Sequence, residues 1–326
     1  MIPERVFGKT GWRVSDIGLG CWQFGGAITL DGKPDGWTGV NDTESDATIR
    51  RAVELGLNFF DTADMYGWGH SESVLGRALK GVRDRVYVAS KVGYGRDADN
   101  HRTLNASREY IVRACEQSLN RLQTDHLDLY QCHLGRTERW GEFLDAFERL
   151  QRHGKILQFG VSTNEFAVLR HFDERQNLAA VQTNYNLLQR QAEKEILPYC
   201  RARGIAVVVR GPLAMGKLAG RYTPASRFAP QDIRTGWLET EEGRLAFARD
   251  LATVERLRPL ADKGGFTLAQ FAIKFVLANV AVSTVIVGTK NREQLEPNVS
   301  ASVLPSLTHE ELATIEQALR TDGPTE

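Results

Sequence analysis

Short runs of β-branched, leucine and aromatic residues recur along the chain, and between them apolar side chains fall three or four positions apart. The first pattern predicts buried strands and the second amphipathic helices. Strands are expected at Val14–Leu19, Leu57–Asp61, Val86–Lys91, Leu127–Cys132, Phe159–Ser162, Ala180–Asn184, Ala206–Arg210 and Thr284–Val287. Helices are expected at Thr43–Leu55, Ser71–Leu79, Ser107–Leu122, Trp140–His153, Glu165–Phe172, Gln191–Arg203, Thr267–Ala278 and His309–Ala318. Ser71-Glu72-Ser73 reads as a helix start, and Thr308 stands at capping-box spacing from Glu311. Leu55-Gly56 and Arg203-Gly204 read as helix ends.

Eight strand–helix units in succession predict a closed (β/α)₈ TIM barrel rather than an open doubly wound sheet, with residues 1–326 forming one domain. Val6–Arg13, with turn residues at its centre, predicts an N-terminal hairpin over the bottom of the barrel. Gly25–Asn41 and Gly211–Gly265 are long insertions, expected at the C-terminal face; the second carries a helical piece at about Thr240–Leu257.

Composition adds exclusions. Hydrophobic content of 42% and charged content of 25% are ordinary for a globular chain. Forty-one basic and 41 acidic residues cancel, which offers no bulk attraction to nucleic acid or an anionic membrane. No apolar run approaches the ~20 residues of a membrane span, and the first residues lack a secretory h-region. Cys21, Cys115, Cys132 and Cys200 form no CxxC pair, so neither a metal centre nor a disulfide framework is expected, and a cytoplasmic location is. Nothing in the sequence bears on oligomeric state.

Barrel chemistry sits where strands end. The second strand ends on Asp61, with Tyr66 in the loop that follows; the third ends on Lys91, and the fourth is followed by His133. Cys132 alternates away from His133 and is expected to face the helices. An acid, a base, an imidazole and a phenol on one rim suit proton transfer to a carbonyl. A phenol titrates near pH 10 and is a poor acid–base group at neutrality, so the Lys91 ammonium is expected to lower its pKa while Asp61 holds that ammonium charged and oriented. His133 can hydrogen-bond the carbonyl oxygen. No activated nucleophile is evident, so a cofactor is expected to donate hydride. Glycosidase chemistry needs two facing carboxylates, and the strand ends offer one. Asp64 is expected only to stabilise a turn.

The stretches "FDTADMYG" (from Phe60), "SK" (Ser90-Lys91) and "QCH" (Gln131 to His133) resemble the catalytic tetrad motifs of the aldo-keto reductase family, and the likeness runs from "GLGCW" near Gly18 to "LTHEEL" near Leu307. The resemblance implies a (β/α)₈ barrel binding NADP(H), with NAD(H) as the alternative, and exchanging hydride with a small aldehyde, ketone or sugar. It implies Tyr66 as general acid–base, Lys91 and Asp61 as its tuners and His133 as the substrate-orienting residue. It places Ser162, Asn164 and Gln182 at the nicotinamide carboxamide, although Thr163 here separates a Ser-Asn pair adjacent in many members. Arg210 stands where many members stack a Tyr on the nicotinamide. Gly211, Leu213, Gly216 and Lys217 would wrap the pyrophosphate. Gly288, Lys290, Asn291 and Arg292 resemble the 2′-phosphate loop, with Gln294 and Asn298 at the adenine. Trp22, and with it Trp37 or Trp68, is expected to wall the substrate pocket. Potassium-channel β-subunits resemble the same family, so a cofactor-binding redox-sensing module is the alternative reading. Substrate identity and physiological direction stay open.

Overall fold

The computed structural model describes residues 2–320. Eight parallel strands close into a barrel: β1 (Ile17–Gly20), β2 (Phe59–Asp61), β3 (Tyr87–Val92), β4 (Leu127–Cys132), β5 (Ile156–Ser162), β6 (Ala180–Asn184), β7 (Ala206–Arg210) and β8 (Val282–Gly288). They follow chain order round the ring, with β8 hydrogen-bonded to β1. The surrounding helices are α1 (Asp42–Glu54), α2 (His70–Ala78), α3 (Arg108–Leu122), α4 (Trp140–Arg152), α5 (Phe166–Phe172), α6 (Ile196–Arg203), α7 (Glu241–Lys263), α8 (Leu268–Ala278), α9 (Arg292–Ser300) and α10 (His309–Arg320). Among the described residues no helix is long and apolar enough to cross a membrane.

Side-chain alternation along the strands separates two cores. Phe59, Ala89, Leu129, Ala180, Val208 and Ile286 fill the barrel interior, while Val88, Tyr130, Cys132, Val161 and Val207 join the helix-packed outer cluster. The hairpin of Glu4–Val6 and Arg13–Ser15 closes the bottom, because Phe7 is fully buried among the interior residues and stacks with Trp12, which stacks on Tyr87. Cys132 therefore lies in the helix-facing layer, as its alternation with His133 predicts.

Several boundaries differ from the sequence reading. The run Val14–Leu19 is two strands, because residues 13–15 pair with the hairpin and only 17–20 enter the barrel. Gly25–Asn41 holds a second hairpin, Ala27–Leu30 with Lys33–Gly36, turning on Asp31 (φ 54°) and Gly32 (φ 71°). Asp-Gly with both φ positive is the preferred two-residue hairpin turn. A third hairpin, Tyr94–Arg96 with Arg102–Leu104, follows β3, and Arg102 Nη2 donates to Asp35 Oδ2 of the second at 2.7 Å. The helix expected from Gln191 starts at Ile196, which leaves Pro198 in the first turn, where its missing N–H costs nothing. α9 is unforeseen; Asn291 caps it by accepting from Gln294 N. The Thr308–Glu311 capping box forms reciprocally. Ser71 and Glu72 do not cap α2, whose N-cap is Gly69 at φ 91°; their side chains turn into the barrel wall instead.

Candidate active site

At the C-terminal end of the barrel, Lys91 is completely buried and places its ammonium between three acceptors. Nζ donates to Asp61 Oδ1 at 2.5 Å, to the Thr62 carbonyl at 2.8 Å and to Tyr66 Oη at 3.2 Å. Three donors meet three acceptors, the condition under which a buried charge is tolerated. Burial works against the Lys91 charge, but the Asp61 carboxylate and the Tyr66 hydroxyl more than offset it, and its pKa stands above the ordinary value. Register supplies the geometry: Asp61 ends β2 opposite Ala89 of β3, two residues before Lys91.

The other carboxylate oxygen, Asp61 Oδ2, accepts from Gln182 Nε2 at 2.7 Å and Gln131 Nε2 at 3.3 Å. Gln131 escaped the sequence reading. Its signal was available, because it shares a strand face with His133.

Burial pushes the Tyr66 phenol above its ordinary pKa, with the Lys91 ammonium only partly opposing it. Lys91 lowers this pKa as expected, but loss of water around the hydroxyl outweighs one cation at 3.2 Å, so the net shift is upward where a downward one was expected. Tyr66 stacks on Trp22 (centroids 6.0 Å) and meets the His133 ring edge-on at 5.7 Å. Tyr94, from the third hairpin, packs on His133 at 5.3 Å. Burial, then the charges of Lys91, Arg210 and Arg102, hold His133 well below the usual imidazole range, so the ring is neutral. Its Nδ1 is buried without a hydrogen-bond partner.

A cavity of about 1000 Å³ opens beside Tyr66 and Asp61 and runs outward between the β1, β7 and β8 loops. Its wall carries five cations (Arg210, Lys217, Arg221, Arg234, Lys290) against two carboxylates, Asp61 and Asp250, a strong attraction for an anionic ligand. Gln182, Gly211, Leu213, Gly216, Gly288, Gln294, Asn298, Trp22 and Trp37 also line it. Glycine is required at Gly211 and Gly216: both have positive φ, and a Cβ would stand 2.6 Å from Asn184 Oδ1 and from Tyr222 Oη respectively.

Other expected residues lie off this wall. Ser162 donates to Gln182 Oε1 at 3.4 Å behind the lining. Asn164 is exposed, its Oδ1 accepting from Asn184 N and Arg210 Nη2. Asn291 spends its side chain on the α9 cap, and Arg292 is exposed and paired with Glu44, because the chain turns into a helix where an open loop was expected. Trp68 sits outside the lining, with Arg96 over its ring at 5.0 Å. Lys217 reaches Asp250 at 2.6 Å, and Lys290 donates to the Thr38 carbonyl at 2.6 Å. The insertion after β7 adds a residue that no local pattern singles out. Asp232 is fully buried, accepts from Arg234 and from Thr38 Oγ1, and lies 3.9 Å from Lys290. Among the described residues no His, Cys, Asp and Glu cluster could hold a metal.

A model of the aldo/keto reductase family matches residues 16–320. The chain belongs to the aldo-keto reductase family. This aldo-keto reductase is 31% identical to a putative voltage-gated potassium channel subunit beta of Schizosaccharomyces pombe, over 98% of this chain and 93% of that one. Its fold is similar to the glycerol dehydrogenase AKR11B4 from Gluconobacter oxydans, with a TM-score of 0.84, 29% identity and coverage of 99% and 97% of the two chains. It is also similar to an aldo-keto reductase from Klebsiella pneumoniae in complex with NADPH, with a TM-score of 0.72, 29% identity and coverage of 97% and 95%.

Proposed function

We propose that this aldo-keto reductase is an NADP(H)-dependent oxidoreductase that reduces a small aldehyde, ketone or sugar carbonyl to the alcohol. The observation that carries the reading is the Lys91 ammonium held between the Asp61 carboxylate and the Tyr66 hydroxyl at the cavity wall. NADPH in the Klebsiella neighbour supports the cofactor, and the glycerol dehydrogenase neighbour supports a small hydroxylated substrate.

The cavity fits a phosphorylated dinucleotide in size, in net positive charge and in glycines that admit close backbone approach. Gly211, Leu213, Gly216 and Lys217 would hold the pyrophosphate, Lys290 the 2′-phosphate, Gln294 and Asn298 the adenine, and Arg210 with Gln182 the nicotinamide end. Bound there, the reduced nicotinamide supplies hydride to the carbonyl carbon. Tyr66 gives its hydroxyl proton to the carbonyl oxygen as negative charge develops on it. Lys91 stabilises the phenolate left behind, and Asp61 keeps Lys91 in place. Neutral His133 offers its ring to the same oxygen without competing for the proton.

A phenol raised by burial keeps its proton throughout the neutral range, so the donor for carbonyl reduction is in place there. Reduction should therefore be flat from about pH 6 to 8 and fall only above about pH 10, as the donor is lost with rising pH. With His133 neutral, no inflection is expected near pH 6.5; a steep one there would contradict this assignment. Lys290→Met should raise the NADPH dissociation constant about 10- to 100-fold and leave that of NADH unchanged. Equal turnover with NADPH and NADH in the parent protein would remove the 2′-phosphate role.

NADPH oxidation against a panel of aldehydes, ketones and sugars tests the function. The likeness to the Schizosaccharomyces channel subunit favours a second reading, a cofactor-binding redox sensor. Tight NADPH binding with no carbonyl able to oxidise it would select that reading.

A further inference from the structure

Tyr66 sits on a loop and Lys91 on a strand, and a second polar network joins those segments on the far side of β3 from the cavity. Ser90 points opposite to Lys91, into the helix layer. Its Oγ donates to Glu72 Oε1 at 2.5 Å. Glu72 lies in the first turn of α2, six residues after Tyr66, and is completely buried. Its Oε2 accepts from Arg121 Nε of α3 at 2.7 Å. Gly69 makes room for that arginine: a Cβ there would stand 2.5 Å from Arg121 Cδ and Nε. Next to Glu72, Ser71 Oγ donates to the Cys21 carbonyl at 2.7 Å and pairs with Thr62 Oγ1 at 2.9 Å. Thr62 in turn offers its carbonyl to Lys91 Nζ. The loop that carries Tyr66 is thereby tied to β3 at its far end through Glu72 and beside Lys91 through Thr62.

Burying a carboxylate costs several kcal/mol unless it is fully hydrogen-bonded and paired. Glu72 meets that condition without capping its helix, through Ser90 of barrel strand β3 on one side and Arg121 of helix α3 on the other. We propose that Glu72 and Arg121 are positioning residues that set the separation of the Tyr66 hydroxyl from the Lys91 ammonium. The proposal rests on Tyr66 being the proton donor. The Tyr66 hydroxyl is faced by Lys91, Asp61, Arg210 and His133; Glu72 is faced by Ser90 of β3, Arg121 and Cys115 of α3, Asp64 of the loop and Tyr130 of β4. Asp64 has a buried Oδ1 with no partner, and burial, then Glu72, raise its carboxyl while Arg121 opposes. Arg121 thus balances two acids, and losing it would set Glu72 and Asp64 against each other.

Glu72→Gln and Arg121→Met test the idea, with Arg121→Lys as the conservative control. Tyr66 ionisation is followed by ultraviolet difference titration without cofactor, each protein against its own Tyr66→Phe derivative. If the separation widens by roughly 1 Å, the midpoint rises by about one pH unit, because the weakened cation stabilises the phenolate less. kcat falls about tenfold, while KM and the NADPH dissociation constant hold. Arg121→Lys, which keeps a donor for Glu72, stays near the parent in both readouts and gives the comparison if Arg121→Met fails to fold. An unchanged midpoint and kcat in folded Glu72→Gln would overturn the proposal, as would Arg121→Lys losing activity with no shift in midpoint. Parent-like turnover in Tyr66→Phe alone would instead remove the proton-donor reading.

Discussion

Tyr66→Phe is expected to lower the rate of carbonyl reduction by about 10²- to 10⁴-fold, the share a positioned proton donor contributes. The substitution removes one oxygen from a side chain that stacks on Trp22 and packs edge-on against His133, and both ring contacts survive. NADPH should bind with an unchanged dissociation constant, because the hydroxyl's recorded partner is Lys91. The fold should survive as well. Lys91 keeps Asp61 and the Thr62 carbonyl as acceptors, and the space left by the Tyr66 hydroxyl can take a water for the third N–H. Steady-state kinetics and cofactor fluorescence titration check both halves. Parent-like turnover would show that another group donates the proton, and loss of cofactor binding would show that the ring had been displaced.

Lys91→Met should cost both stability and activity. With the ammonium gone, Asp61 is left as a buried carboxylate served only by the amides of Gln182 and Gln131. Removing one partner of a buried pair costs about 3–5 kcal/mol, mostly through the charge left behind. For a chain of this length that lowers Tm by about 5–8 °C. Turnover should fall at least a hundredfold, since the phenolate loses the cation at 3.2 Å. The double variant Lys91→Met/Asp61→Asn separates the two effects. It should recover most of the Tm, because no buried charge is stranded, and none of the turnover. A single variant as stable as the parent would show that the Lys91–Asp61 pair adds nothing to stability.

Much of this was legible locally. Runs of four to six residues with glycine and helix-cap punctuation announced eight β/α units, and seven of the eight helix starts fall within one residue of the expected position. The positions of Asp61, Lys91 and His133 followed from one rule, that polar residues ending parallel strands share a rim. The Asp31-Gly32 hairpin was legible too, but its flanking strands carry too little apolar alternation to draw notice.

What the sequence determined by itself is the barrel and the meeting of Asp61, Tyr66 and Lys91, because strand period and strand ends are properties of a few consecutive residues. Tertiary structure decided the rest. Gln182 turned to Asp61, Trp68 and Arg292 stayed off the cavity wall, and Asp232 reached Lys290 from 58 residues away in the chain. Only the closed barrel also set the proton affinity of Tyr66, because the expected effect of Lys91 is local, whereas desolvation depends on everything packed around the hydroxyl. Such outcomes arise from packing between distant segments and leave no periodic mark on any one of them.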